Sequence, residues 1–308
     1  MDRSKDELAL IRFPGLANQL SKKPAIPAAF KFGFFVSNRT MQHQTTARYR
    51  NLLRHIRNWP LYFTRKLHKG YKGMSFVTRG NPIRFRVPTW SLYLVFKEIF
   101  VSDFYGIDAL LKKLPPRPVV LDIGANAGYF EMMLFSKMAE ATVYAYEPIP
   151  SNCSLFQQNV ALNPSLGNRI HLFNKAVTGT PQEFVELFME TEAEDSVIAS
   201  VYSDFDRKNH FTLRVPAISL RQILEETGIE RADLVKIDCE GSEYPIIYDT
   251  PASCWGKMTF LTVEVHDLDQ DRRNVGHLTR FLESQGYEVV SAPAHSNCHT
   301  LEAVRKNK

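Results

Sequence analysis

Three short stretches concentrate acids, glycines and a histidine at spacings that can do chemistry. The first is Val119-Val-Leu-Asp-Ile-Gly-Ala-Asn-Ala-Gly-Tyr-Phe130. A buried strand interrupted only by Asp122 runs into Gly124, and Gly128 follows four residues later where a helix begins. Glycines here permit a tight turn and let a ligand approach the backbone. The string G-A-N-A-G lacks the second glycine of the dinucleotide fingerprint G-x-G-x-x-G, and Asp122 ahead of the turn repels a phosphate. Asp122 suits a cation instead, such as the amino group of a methionine moiety. Asn126 offers the same moiety a donor and an acceptor. The second stretch is Tyr144-Ala-Tyr-Glu-Pro148. Its Glu147 ends the next strand, 19 residues beyond Gly128, and is placed to accept hydrogen bonds from two ribose hydroxyls. Together the two stretches argue against NAD and for S-adenosylmethionine (SAM).

The third set lies at the ends of the fourth and fifth strands: Asp238 and Glu240 from one, Glu264, His266 and Asp267 from the other. Methyl transfer from a sulfonium is an in-line displacement that depends on orientation. An alcohol acceptor also needs a base, or a metal that acidifies it. Period-2 geometry puts Glu264 and His266 on one face of their strand. His266 is the natural base at neutral pH, with Glu240 the runner-up because a buried carboxylate titrates higher. His266 fits a surface-loop histidine equally well, and Glu243 fits charge compensation at a helix N-terminus. Asp238, Glu240, Glu264 and His266 are also a set that can chelate one divalent cation. No cysteine pair supports zinc, so no metal ligand is assigned. Lys236, in a core strand, needs an acidic partner that the sequence does not identify.

The elements that must position these residues alternate. Strands are expected at Val119–Ile123, Thr142–Tyr146, Arg169–Asn174, Leu234–Asp238 and Phe260–Val265, with helices at Gly128–Met138, Ser151–Leu162, Leu220–Glu226 and Asp271–Gln285. Tyr287–Ser291 and Thr300–Val304 can close the sheet, and residues 183–217 read as an inserted hairpin with a loop. Such a pattern calls for an α/β fold with a parallel sheet and helices on both faces. Further upstream, 45–69 reads as a basic amphipathic helix or helix pair broken near Pro60, Gly80–Val87 as a strand and Leu92–Leu111 as a helix. Residues 1–80 are therefore assigned to a basic, partly irregular extension and 81–308 to the main domain, with its core at 119–305.

At the fourth strand the chain reads Lys236-Ile-Asp-Cys-Glu-Gly-Ser-Glu243. With LDIGANAGYF before it and YEP between, the chain resembles the FkbM family of SAM-dependent methyltransferases. Leu155, Phe156 and Asn159, then Ala176-Val177, then Val215 to Leu220 are further landmarks, and the resemblance covers about 95–305. It implies a class I SAM-methyltransferase fold, Rossmann-like, with a seven-stranded, mostly parallel sheet. It also implies a cofactor site drawing on Asp122, Gly124, Asn126, Gly128, Glu147 and Ala176. The activity it implies is O-methylation of a sugar, glycolipid or polyketide-like hydroxyl, with Asp238, Glu240 and His266 as catalytic candidates.

Composition narrows the setting. With 44% hydrophobic and 12% aromatic residues, the 308-residue chain can build a packed core, and no apolar run reaches the ~20 residues of a membrane span. The N-terminus lacks the apolar core of a secretory signal, and Cys153, Cys239, Cys254 and Cys298 make no C-x-x-C pair, so a reducing cytoplasm is expected. Residues 1–100 carry 19 Lys and Arg against 4 Asp and Glu, a net of +15, while the other 208 residues carry a net of −10. The basic part either is a solvated face or meets an anionic partner, such as anionic lipid at the inner membrane surface through residues 1–75. An RNA or protein methyltransferase that grips its substrate there is the alternative. Few aromatics stand free among the basic residues and no N/D-P-P-Y string follows the fourth strand, which argues against nucleic acid.

Overall fold

The computed structural model describes residues 47–64, 73–189, 199–201, 211–295 and 297–306. The chain divides into Met1–Gln44 and a compact unit, Thr45–Lys308, to which all described residues belong.

The compact unit is built on a seven-stranded sheet: β3 (Val119–Ile123), β4 (Thr142–Tyr146), β5 (Ile170–Phe173), β10 (Ala232–Ile237), β11 (Met258–His266), β12 (Tyr287–His295) and β13 (Cys298–Arg305). Their spatial order is β12-β13-β11-β10-β3-β4-β5. The five strands from β5 to β11 are parallel, and β13 and β12 add antiparallel at the edge. The chain steps outward from β3 to β4 and β5, then returns to β10 on the other side of β3. Strand order reverses between β3 and β10, and open α/β sheets bind ligands in the crevice beyond the strand ends at such a reversal.

Helices cover both faces. On one lie α4 (Tyr129–Lys137) and α5 (Pro150–Ala161); on the other, α6 (Leu220–Glu226), α7 (Glu243–Tyr248), α8 (Ala252–Trp255) and α9 (Val275–Ser284). Successive side chains of β3 and β10 alternate between the two cores. Leu121, Ile123, Val235 and Ile237 enter the α6–α9 side, and Val120 and Leu234 the other. That parity puts Asp122 and Lys236, which are directly opposed in register, on the α4–α5 face.

Of the upstream region, residues 47–64 and 73–80 are described and share a core with residues beyond 80, while 1–46 and 65–72 lie outside the described residues. Helix α1 (47–55) buries Leu52, its neighbour Ile56 is fully buried, and the hairpin of β1 (Met74–Val77) with β2 (Arg84–Val87) adds Phe76 and Phe85 to the same core. Phe76 stacks on Phe96 at 4.3 Å and Phe85 on Phe100 at 4.8 Å. Two asparagines clamp β2 to α5. Asn159 Oδ1 and Asn163 Oδ1 accept from the Arg86 and Arg84 amides, each at 2.8 Å, and Asn159 Nδ2 donates to Ala127 O. The basic amphipathic segment thus packs its apolar stripe on its own domain, ending in a helical turn at Leu61–Thr64; residues 65–69 lie outside the described residues.

The helix expected over Leu92–Leu111 is broken in two. Helix α2 (Trp90–Phe96) runs into a π-helical stretch, Lys97–Ser102, and α3 (Ile107–Leu111) follows. Asp103 and Gly106 both adopt left-handed φ angles, 54° and 55°, and Asp103 Oδ1 caps the Ile107 amide at 2.8 Å. The inserted hairpin of 183–217 is present as β7 (Phe184–Met189) paired with β9 (Phe211–Ser219). With β6 (Ala176–Thr178) and β8 (Ala199–Ser200) it forms a separate sheet of order β6-β9-β7-β8.

Candidate active site

The turn after β3 carries three left-handed residues, Gly124 (φ 83°), Asn126 (φ 51°) and Gly128 (φ 80°). The space that a side chain would take at the two glycines is filled by protein, not reserved for a ligand. A Cβ on Gly124 would lie 1.8 Å from Asp238 O, and one on Gly128 2.3 Å from the Phe156 ring. The glycines therefore let the loop after β10 and helix α5 close on the turn. The turn's amides grip the end of β4: Gly124 N and Ala125 N donate to Tyr146 O at 2.9 and 3.1 Å, and Asn126 N donates to Glu147 Oε2 at 2.8 Å. The Asn126 side chain folds back, its Oδ1 accepting from Ala127 N at 2.7 Å.

Glu147 sits at the carboxyl end of β4, 4% exposed. Its Oε1 accepts from Ile149 N at 2.9 Å and Asn152 Nδ2 at 3.3 Å. Burial pushes its carboxyl up to about 7, against the opposing pull of the Ile149 and Asn126 amides. Three donors on a group with about four lone-pair sites leave it able to accept once more.

Asp122 is not on the pocket wall, contrary to its expected role as an ammonium acceptor. It is fully buried, and its Oδ1 accepts from Lys236 Nζ at 3.0 Å. This answers the question of the lysine's partner. Lys236 also donates to Gly124 O at 3.1 Å and lies 3.5 Å from Asp238 Oδ2, so its three protons are engaged. Burial alone would lower the lysine's affinity for its proton, but Asp122 and Asp238 more than reverse this. Behind Asp122, burial and the neighbouring Asp122 charge push the carboxyl of the buried Glu131 well above the usual carboxylate range. On the cavity side, Tyr105 donates to Asp238 Oδ2 at 2.5 Å. Asp238 Oδ1 has no protein donor among the described residues, so the loop after β10 offers a free carboxylate oxygen beside the first turn.

These groups border a cavity of about 400 Å³, within the range of small-molecule sites. Gly124, Asn126, Glu147, Ala176, Lys236, Asp238 and Glu240 line it, so four of the six expected cofactor residues meet here, while Gly128 ends the turn and Asp122 lies behind Lys236. One wall is a single face of α2 and its extension, Ser91, Leu94, Val95 and Glu98, at the three- and four-residue spacing of a helix. Leu187 and Val201 of the small sheet supply another wall.

Glu98, Glu240 and Glu264 also line the cavity, beside Asp238. Burial and the Asp238 charge push Glu98 up to about 7, and Glu240 and Glu264 also well above the usual carboxylate range. Glu240 has a left-handed φ of 49° that turns its side chain out of the loop. His266 stands one step back: its Nε2 is 3.6 Å from Glu240 Oε2 and 3.5 Å from Glu264 Oε1. Glu243 accepts from Cys239 N at 2.8 Å at the start of α7, a loop-closing role that fits charge compensation.

Glu98, Tyr105 and Cys298 were missed in the sequence. Glu98 and Tyr105 lie in the stretch where the expected helix breaks. Cys298 becomes visible only when β13 is paired with β11, which puts it opposite His266.

The strand order, the reversal between β3 and β10 and the acids at four strand ends define a class I methyltransferase fold. The methyltransferase FkbM domain family matches residues 122–289, more than half of the chain, and the chain belongs to that family. Among its relatives, Methyltransferase sdnD of Sordaria araneosa is 26% identical over 219 residues, covering 64% of this chain and 82% of that protein. The 31-O-demethyl-FK506 methyltransferase FkbM of Streptomyces tacrolimicus is 24% identical over 226 residues, covering 64% and 82%. The AMB antimetabolite synthetase AmbE of Pseudomonas aeruginosa is 26% identical over 226 residues, covering 63% of this chain but only 10% of that protein. The crystal structure of methyltransferase FkbM from Methylobacillus flagellatus has a TM-score of 0.45 at 13% identity, covering 69% of this chain and 53% of that one.

Proposed function

We propose that this cavity binds SAM and that the chain transfers a methyl group to a hydroxyl of a sugar, glycolipid or polyketide-like acceptor. The observation that carries the reading is Glu147, a carboxylate held at the end of β4 by Asn126 and Ile149 amides with accepting capacity left over. A ribose hydroxyl satisfies it. Ile149, Ala176 and Val177 offer an apolar wall for the purine, with Asn152 and Lys175 at its polar edge. Gly124, Asn126 and Gly128 set the turn that holds Glu147 in place. Asp238 Oδ1 is the acceptor for the ammonium of the methionine end, with Asp122 acting through Lys236.

Bound SAM supplies an electrophilic methyl on a sulfonium. The chain must then align an acceptor oxygen behind that methyl and take up its proton. Glu240 is the cavity-lining group for the proton, and His266, in contact with Glu240 and Glu264, holds the two acids in place. The oxygen-directed name of the Streptomyces tacrolimicus relative supports an oxygen acceptor. The basic surplus upstream supports contact with anionic lipid on the cytoplasmic side.

The test is transfer of a tritiated methyl from SAM to a panel of sugars, glycolipids and polyols. Label should accumulate in a hydroxyl acceptor, and Glu240→Gln should lower kcat by about 10²-fold or more, leaving SAM affinity within about twofold of the parent. Transfer only to RNA or protein, or full activity in the variant, contradicts the reading.

A further inference from the structure

Strands β11 and β13 pair antiparallel with His266 opposite Cys298. Glu264 lies two residues earlier on β11, over nine-tenths buried, and Cys298 is fully buried. The Cys298 thiol donates to Glu264 Oε1 at 3.2 Å, and His266 Nε2 lies 3.5 Å from the same oxygen. The ligand atoms of all three residues fall within 4.8 Å of one another. Bonds of ~2.0–2.3 Å from a tetrahedral zinc place neighbouring ligand atoms roughly 3.4–3.6 Å apart, close to the two spacings seen here. The cluster adjoins a wall lined with further carboxyl groups, those of Asp238, Glu240 and Glu98, while the ammonium of Lys236 is committed to Asp122, Gly124 and Asp238.

We propose that Glu264, His266 and Cys298 form a binding site for a single divalent cation of the zinc type at the edge of the cavity. A thiolate, an imidazole and a carboxylate together favour zinc over magnesium or calcium, which prefer all-oxygen sets. Three protein ligands leave a fourth corner for an oxygen, and Glu240 Oε2, 3.6 Å from the same imidazole nitrogen, is one at hand on the cavity wall. Binding releases the Cys298 proton to solvent, since the thiolate is the ligand. The sequence spacing gave no sign of this site, because its thiol comes from a strand 32 residues beyond His266 that only the sheet brings back. The site stands on the geometry of these side chains and does not depend on methyl transfer.

The test uses the full-length chain, reduced and stripped with chelator, titrated with Co²⁺ and then with Zn²⁺. One equivalent of Co²⁺ should produce a sulfur-to-cobalt charge-transfer band and the intense visible bands of a four-coordinate ion, and Zn²⁺ should displace it. Calorimetry of the Zn²⁺ step should show buffer-dependent heat from proton release. Cys298→Ser should abolish the sulfur band, while Cys239→Ser, at the cavity but outside the cluster, should keep it. His266→Ala should weaken binding by more than the roughly tenfold that loss of an outer-shell partner costs. Circular dichroism shows whether each variant is folded. Absence of saturable binding by the folded parent, or a sulfur band that survives Cys298→Ser, overturns the site. SAM affinity of the same metal-free protein reports separately on the proposed activity.

Discussion

Replacing Lys236 with Met removes one side of a buried ion pair and leaves a hydrophobic stem of similar length. The lysine and Asp122 side chains are 3% and 0% exposed and meet at 3.0 Å. Asp122 would then be an uncompensated charge in the core, and breaking such a pair costs about 3–5 kcal/mol. The loss at Asp238 is smaller, because that side chain is 24% exposed and keeps Tyr105. For a unit of this size, ~4 kcal/mol corresponds to a Tm drop of roughly 8–16 °C. The double variant Lys236→Met/Asp122→Asn removes the stranded charge and should recover most of this, giving a coupling energy of about 2–4 kcal/mol in a double-mutant cycle. Urea denaturation at pH 7 without ligand measures each corner. A cost below ~1 kcal/mol for Lys236→Met, or no recovery in the double variant, would refute the reading of Lys236 and Asp122 as a buried pair in which each compensates the other.

Further outcomes are expected. Glu147 and Glu243 are held near 7 and 8 by burial, above their ordinary 4.5. The folded chain therefore keeps protons that the unfolded chain loses, and stability should fall as pH rises from about 5 to 8, by on the order of 3 kcal/mol per group; urea midpoints across that range check the sign. Asn159→Ala should strip the Arg86 amide of its acceptor and cost about 1–3 kcal/mol, with faster hydrogen exchange at Arg86. Gly128→Ala should destabilise through both its left-handed φ and the clash with Phe156, and Phe156→Leu in that background should relieve only the clash, as read by thermal melts. Deleting residues 1–44, which spares the packed α1 and β1, should reduce sedimentation with anionic liposomes but not with neutral ones; equal partitioning of both chains would end the lipid proposal.

What could be read in advance follows from how local each signal is. The strands β3, β4 and β10 are mostly apolar runs followed by acids, a local signal, and Glu147, Asp238 and Glu240 line the cavity. Asp122 was misread because its environment depends on strand pairing: only the register Asp122↔Lys236 shows that the carboxylate is already occupied. The glycines were legible as turn formers, but their neighbours Asp238 O and the Phe156 ring come from distant segments. The amphipathic pattern within 45–69 was legible, but that Leu52 and Ile56 meet Phe76 and Phe85 depends on a hairpin later in the chain. Glu98 and Tyr105 were hidden by a helical pattern that the left-handed Asp103 and Gly106 interrupt.

The most direct measurement is calorimetric titration of SAM into the full-length chain and into Glu147→Ala at pH 8, where the Glu147 carboxylate is ionised. The parent should bind one equivalent, and the variant should bind at least about tenfold more weakly for the loss of a charge-assisted hydrogen bond. Equal affinity in the two proteins, or no saturable heat with the parent, would contradict the account.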